Sequence, residues 1–153
     1  MSQALNLNTI LAQAGVKTDA TTGALTTPLH FSTTYQHPEF GQSTGYDYTR
    51  TKNPTRVSLE ETLAAIESAD YALATSSGMS AIVLAFSAFP VGSKVLAVRD
   101  LYGGSFRWFA QAEAEGRFAF TYANTEEELL NKLTEDIDIV YIETPTNPLM
   151  VEF

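Results

Sequence analysis

The rhythm of apolar positions changes at Pro54. Before it, Gly23 to Phe40 is rich in Thr, Pro, Ser and Gly with scattered aromatics, and no period emerges. Leu5, Leu7, Ile10 and Leu11 predict one short helix near the N-terminus. After Pro54 the pattern is regular. Leu59, Leu63 and Ile66 recur every three to four residues, with Glu60, Glu61 and Glu67 on other faces, which predicts an amphipathic helix. Asn53-Pro54 is a helix start, with Asn as N-cap and Pro at the first helical position. Tyr71–Thr75 predicts a short strand, and Met79–Phe89, apolar nearly all round, a deeply buried helix. Strands follow at Val95–Val98, Phe118–Tyr122 and Ile137–Ile142, separated by helices at Ser105–Glu115 and Thr125–Leu133. Alternation of buried strands and helices means parallel pairing, so the fold class is α/β, preceded by a long irregular arm.

Composition narrows the function. The formal net charge of −9 argues against nucleic acid or an anionic membrane as partner. Without cysteine there is no disulfide, thiol nucleophile or thiolate metal site. His30 and His37 are the only histidines and both fall in the arm, so no metal site is expected. No secretory signal is recognisable and no apolar run is long enough to span a membrane, so the expected location is cytoplasmic.

Four stretches offer chemistry. Gly45–Arg56 is polar, aromatic and basic at once. It sets Tyr48 and Arg50 two residues apart, which in an extended segment puts a phenol and a guanidinium on one side, a pair suited to phosphate. The other three stretches sit at predicted strand ends, where α/β folds bind ligands. Ser76-Ser77-Gly78-Met79 opens a helix, where backbone N–H groups attract anions, but it has neither the Lys of a P-loop nor a dinucleotide glycine fingerprint. Asp100-Leu101-Tyr102-Gly103-Gly104 and Glu143-Thr144-Pro145-Thr146-Asn147-Pro148 follow the later strands. Taken one at a time, each is equally a surface loop or plain turn.

Together and in this order, the four stretches resemble the pyridoxal-phosphate enzymes of sulfur amino-acid metabolism, from about Gly23 to the last residue. The resemblance implies the large domain of the PLP-dependent transferases, fold type I and aspartate aminotransferase-like, with a mainly parallel sheet. It implies pyridoxal 5'-phosphate as cofactor and an amino-acid substrate. It implies that Ser77, Gly78 and Met79 hold the cofactor phosphate, that Tyr102 stacks on the pyridine ring and assists proton transfer, and that Asn147 bonds the phenolic oxygen. It also implies that residues 1–53 form an arm reaching a neighbouring subunit, where Tyr48 and Arg50 meet that subunit's phosphate, in a homodimer or homotetramer with shared sites. Residues 54–153 would then be an incomplete cofactor-binding domain.

The wording Ser43–Tyr48 and Asn147–Met150 is more similar to bacterial cystathionine γ-synthases than to cystathionine β- or γ-lyases or methionine γ-lyases. The family's Schiff-base Lys, the Asp paired with the pyridine nitrogen and the Arg for the substrate carboxylate have no counterpart. Lys17, Lys52, Lys94 and Lys132 are the only lysines, and none has that context. The expectation is an N-terminal piece of such an enzyme, inactive alone. The alternative of another class is a non-catalytic product that merely folds or associates.

Overall fold

The computed structural model describes residues 6–16 and 19–153. They divide into two compact units, the first ending at Ala74 and the second running from Thr75 to Phe153. Leu5 and Lys17 lie outside the described residues.

In the first unit, α1 (Leu7–Ala12) is capped by Asn6, whose side chain accepts the Asn8 N–H, and α2 spans Pro54–Ile66. Asn53 caps α2 as its sequence predicts, accepting the Thr55 N–H at 2.8 Å. Its amide also donates to the His30 carbonyl at 3.0 Å and to the Thr49 hydroxyl at 2.7 Å. One residue therefore starts the helix and ties the irregular segment to it. Thr55 takes the His30 N–H at 2.9 Å, and the Thr27 hydroxyl meets the Ser58 hydroxyl at 3.2 Å. The segment carries only isolated antiparallel bridges, such as Thr34 with Tyr48. Polar bonds hold it to α2, while Phe31 remains 89% exposed and Phe40 fully so. Tyr35 and Tyr46 are half-buried, their rings 5.6 Å apart.

The strand predicted at Tyr71–Thr75 is not one. A strand needs a ladder partner, and among the described residues none pairs with this stretch. The Ala74 N–H instead donates to the Glu60 carboxylate at 2.9 Å.

In the second unit the order is α3 (Gly78–Phe86), β1 (Ser93–Val98), α4 (Gly103–Ala114), β2 (Phe118–Ala123), α5 (Glu126–Lys132) and β3 (Ile139–Tyr141). The sheet is parallel, in the order β2-β1-β3, with Val95 opposite both Phe120 and Ile139. Val95 to Val98 are buried without a break, as befits a central strand covered on both faces. Phe118, Phe120 and Tyr122, two residues apart, put a ladder of rings on one face. Phe109 of α4 stacks on Phe120 at 4.6 Å and meets Tyr141 edge-on at 5.0 Å. Phe86 of α3 lies 5.2 Å from Phe109 and 5.3 Å from Phe118. Burying a ring such as Phe109 stabilises the fold by about 1.5–3 kcal/mol.

The helix predicted at Thr125–Leu133 is α5, one residue shorter at each end: Thr125 stands outside it as N-cap, accepting the Glu128 N–H, and Glu126, Glu127 and Glu128 fill the first turn. The expectation for α3 fails in part. Only Phe86 is buried along it, and Leu84 and Met79 border an open apolar groove with Val83 and Trp108. A helix apolar all round needs cover on every side, and the described residues supply it on one.

Candidate active site

The arm pair comes together, but not as extended geometry predicts. Tyr48 to Thr51 is a turn, closed by the Thr51 and Lys52 N–H groups, each 3.0 Å from the Tyr48 carbonyl. The turn folds Arg50 back over Tyr48, with its guanidinium carbon 5.0 Å from the ring centroid and Nη2 donating to the phenol oxygen. Phenol and guanidinium still converge. Arg56 points elsewhere. It donates to the Thr51 carbonyl at 2.6 Å and pairs with Glu60 at 3.5 Å, clamping the turn onto α2. Nearby, the Asp47 carboxyl is held below its ordinary value by the Ser43 hydroxyl first, then by His37 at 2.8 Å.

The second unit gathers the other three stretches at the carboxyl ends of β1 and β3. Ser77 caps α3, accepting the Ser80 N–H at 3.1 Å. The next two N–H groups, of Gly78 and Met79, have no acceptor among the described residues. A Cβ on Gly78 would meet nothing within 4 Å, so the backbone here is open to close approach. Ser105 of α4 joins this turn to the sheet, donating to the Met79 sulfur at 3.9 Å and lying 3.5 Å from the Tyr141 hydroxyl.

Tyr102 is the N-cap of α4, with no side-chain cap hydrogen bond of its own, and the residue is 46% exposed. Its N–H donates to both oxygens of Glu143, 3.1 Å each. A carboxylate at the positive end of a helix is favourably placed. Glu143 lies two residues beyond the end of β3, so its bond to Tyr102 couples the two strand ends. A second joint lies beside it. Thr146, fully buried, donates to the Asp100 carboxylate and accepts the Val151 N–H at 2.9 Å. This holds the loop that presents Asn147, which is exposed and whose amide has no partner among the described residues. The sequence does not disclose Thr146 or the task of Glu143. The available signal was weak: an acid and a hydroxyl around two prolines at a strand end.

The open amides of Gly78 and Met79, an exposed aromatic face and an unpartnered amide form a donor set that fits a phosphorylated planar cofactor. None of the lysines in this unit joins them. Lys94, second residue of β1 and thus at the opposite end of the strand, pairs with Asp136 at 2.6 Å, and Lys132 donates to the Tyr122 carbonyl at 2.8 Å.

A parallel α/β sheet with these groups at its carboxyl ends is an arrangement suited to a phosphorylated cofactor. The family of Cys/Met metabolism PLP-dependent enzymes matches residues 8–152, and the chain belongs to that family. It is 42% identical to the cystathionine gamma-synthase/O-acetylhomoserine (thiol)-lyase of Bacillus subtilis, over 99% of this chain and 41% of that protein. It is equally 42% identical to the cystathionine gamma-synthase of Haemophilus influenzae, over 99% of this chain and 42% of that one. The crystal structure of cystathionine gamma synthase from Xanthomonas oryzae pv. oryzae, in complex with aminoacrylate and cysteine, superposes with a TM-score of 0.86 at 35% identity. That match covers 98% of this chain and 40% of that one. The fold is therefore that of the fold type I large domain, as the resemblance implied. The chain spans about two-fifths of the length of the relatives it matches. Among the described residues no helix is long and apolar enough to cross a membrane.

Proposed function

We propose that this chain supplies the phosphate-holding and ring-stacking part of the cofactor site of a trans-sulfuration enzyme. Within the family, the reading is a cystathionine γ-synthase. The observation that carries the cofactor-site reading is the open N-terminus of α3, linked through Met79 and Ser105 to the helix that begins at the exposed Tyr102.

The amides of Gly78 and Met79, with the hydroxyl of Ser77, take the phosphate. The Tyr102 ring covers the flat face of the cofactor, and its phenol moves a proton at the substrate. Asn147 donates its amide to the phenolic oxygen of the cofactor. Tyr48 and Arg50 add a phenol and a charged fork to the phosphate of a neighbouring copy, with residues 1–53 as the arm, 54–153 as the cofactor-binding part, and a homodimer or homotetramer as the working form. When bound, pyridoxal phosphate supplies an electron sink for the amino-acid substrate.

The net reaction is a γ-replacement. The cysteine sulfur forms a bond to the γ-carbon of an acylated homoserine, the bond from that carbon to the acyloxy oxygen breaks, and the thiol proton leaves with the released carboxylic acid. In favour of synthase over lyase, the two 42% relatives carry synthase names, whereas a B. subtilis γ-lyase stands at 38% and a β-lyase from the same organism at 36%. Product analysis by mass spectrometry on the holoenzyme containing this chain tests the choice. Cystathionine formed from acylated homoserine and cysteine is the expected outcome. Keto-acid release from cystathionine, without that synthesis, would make it a lyase.

A further inference from the structure

Gly103 and Gly104 both lie in the first turn of α4, and neither has a positive φ. Backbone conformation therefore requires glycine at neither position, and alanine would favour the helix. Their surroundings differ. A Cβ on Gly103 would come 3.2 Å from Arg107 Nη1, the far end of a long flexible side chain that can step aside. A Cβ on Gly104 would lie 2.4 Å from Cε1 of Tyr102, 3.0 Å from Cδ1 and 3.1 Å from Cζ. Carbon atoms in ordinary contact keep about 3.5–4.0 Å. The Tyr102 ring thus lies over the bare backbone of Gly104, in space that any other residue would fill. At its other end Tyr102 is fixed by the bond of its N–H to both oxygens of Glu143. The Glu143 bond thus restrains the main chain that carries the ring.

We propose that Gly104 and Glu143 are positioning residues for Tyr102: the first leaves the room in which the ring lies, and the second anchors the main chain that carries it. The consequence for cofactor binding rests on the reading of Tyr102 as the stacking face. The positioning itself does not.

The test uses Gly104→Ala, Gly103→Ala, Glu143→Ala and the double variant Tyr102→Ala/Gly104→Ala in the whole chain. Nuclear Overhauser contacts between the Tyr102 ring and the backbone of residue 104 are expected to persist in Gly103→Ala and to vanish in Gly104→Ala. Amide exchange at Tyr102 is expected to accelerate in Glu143→Ala. The denaturation midpoint is expected to fall in Gly104→Ala and to be recovered in the double variant, because removing the ring removes the collision. If Gly104→Ala does not fold at all, the double variant still decides: it folds if the ring is the obstacle. Ring contacts unchanged by Gly104→Ala, a midpoint no lower than that of Gly103→Ala, or a double variant no better than the single one would overturn the positioning by Gly104. Unchanged Tyr102 exchange in Glu143→Ala would overturn the anchoring.

The holoenzyme is then titrated with pyridoxal phosphate. Affinity about two- to tenfold weaker in Gly104→Ala, with an altered visible circular-dichroism band, is the loss expected for a stacking contact. A displaced ring with cofactor affinity and band unchanged would leave the positioning standing and remove the stacking role of Tyr102.

Discussion

The backbone N–H of Tyr102 is bonded to both carboxylate oxygens of Glu143, although the two residues stand 41 positions apart in sequence. Through that bond the end of β3 sets the start of α4. An extended strand end and a helix start are thereby locked together at the place where the candidate cofactor groups converge.

Thr146 makes the parallel joint. It is fully buried, donates to Asp100 and accepts from the Val151 N–H. Thr146→Val keeps the shape and removes the hydroxyl, leaving a carboxylate oxygen and an N–H without their partner. Stability is expected to fall by about 1–3 kcal/mol, measured by urea denaturation. A midpoint equal to wild type would show that the Asp100–Thr146 bond does not hold the Asn147 loop.

The two arginines of the arm are expected to separate by function. Arg56 bonds the Thr51 carbonyl and Glu60, so Arg56→Ala should loosen the turn and lower the stability of the first unit by about 1 kcal/mol. Among the described residues the Arg50 guanidinium meets Tyr48 alone, so Arg50→Ala should leave the midpoint within about 0.5 kcal/mol of wild type. Thermal unfolding followed by far-ultraviolet circular dichroism reads both. Equal destabilisation would mean that Arg50 is a structural residue.

At the opposite end of β1, Asp136 is pushed down to about 2 by its bond from Lys94, with further help from the Thr134 hydroxyl, and Lys94 is raised in turn by Asp136. A depressed carboxyl contributes stability that is present above its ordinary value and is lost as pH falls through about 2. A raised ammonium contributes stability that is intact below its ordinary value and is lost as pH rises through the folded one. The pair should therefore be whole between roughly pH 4 and pH 10. Carbon NMR of the Asp136 carboxyl should titrate near the depressed value in wild type and return towards the ordinary one in Lys94→Met. An unchanged midpoint would show that Lys94 is not the cause. Both groups are exposed, so the effect belongs to local titration more than to global stability.

Much of the regular structure was legible because its signals are local. The period-2 aromatics of β2, the three acids that open α5, and, in the first unit, the Asn53-Pro54 start each fix structure within a few residues. The failures share one cause. Tyr71–Thr75 and the outer face of α3 are apolar yet have no ladder partner and no cover among the described residues, and composition alone cannot say whether a partner is present. The arm was legible as irregular, but its anchoring was not. The bonds of Asn53 to His30 and of Thr27 to Ser58 join polar residues far apart in sequence, and polar pairs leave no period. The same holds at the strand ends. Ser77, Gly78, Met79, Tyr102 and Asn147 stand out as residue types, whereas Glu143 and Thr146 acquire their tasks only from the folded geometry.

If this chain carries phosphate-binding groups for pyridoxal phosphate, the dissociation constant of that cofactor must respond to their loss. In the holoenzyme, Arg50→Ala removes a charge-assisted bond to phosphate. It is expected to weaken binding by about 1.5–3 kcal/mol, roughly ten- to a hundredfold, and Arg56→Ala by distinctly less. Equal cofactor affinity in the two variants and wild type would contradict the assignment of Tyr48 and Arg50, and with it the account of the arm as part of a cofactor site.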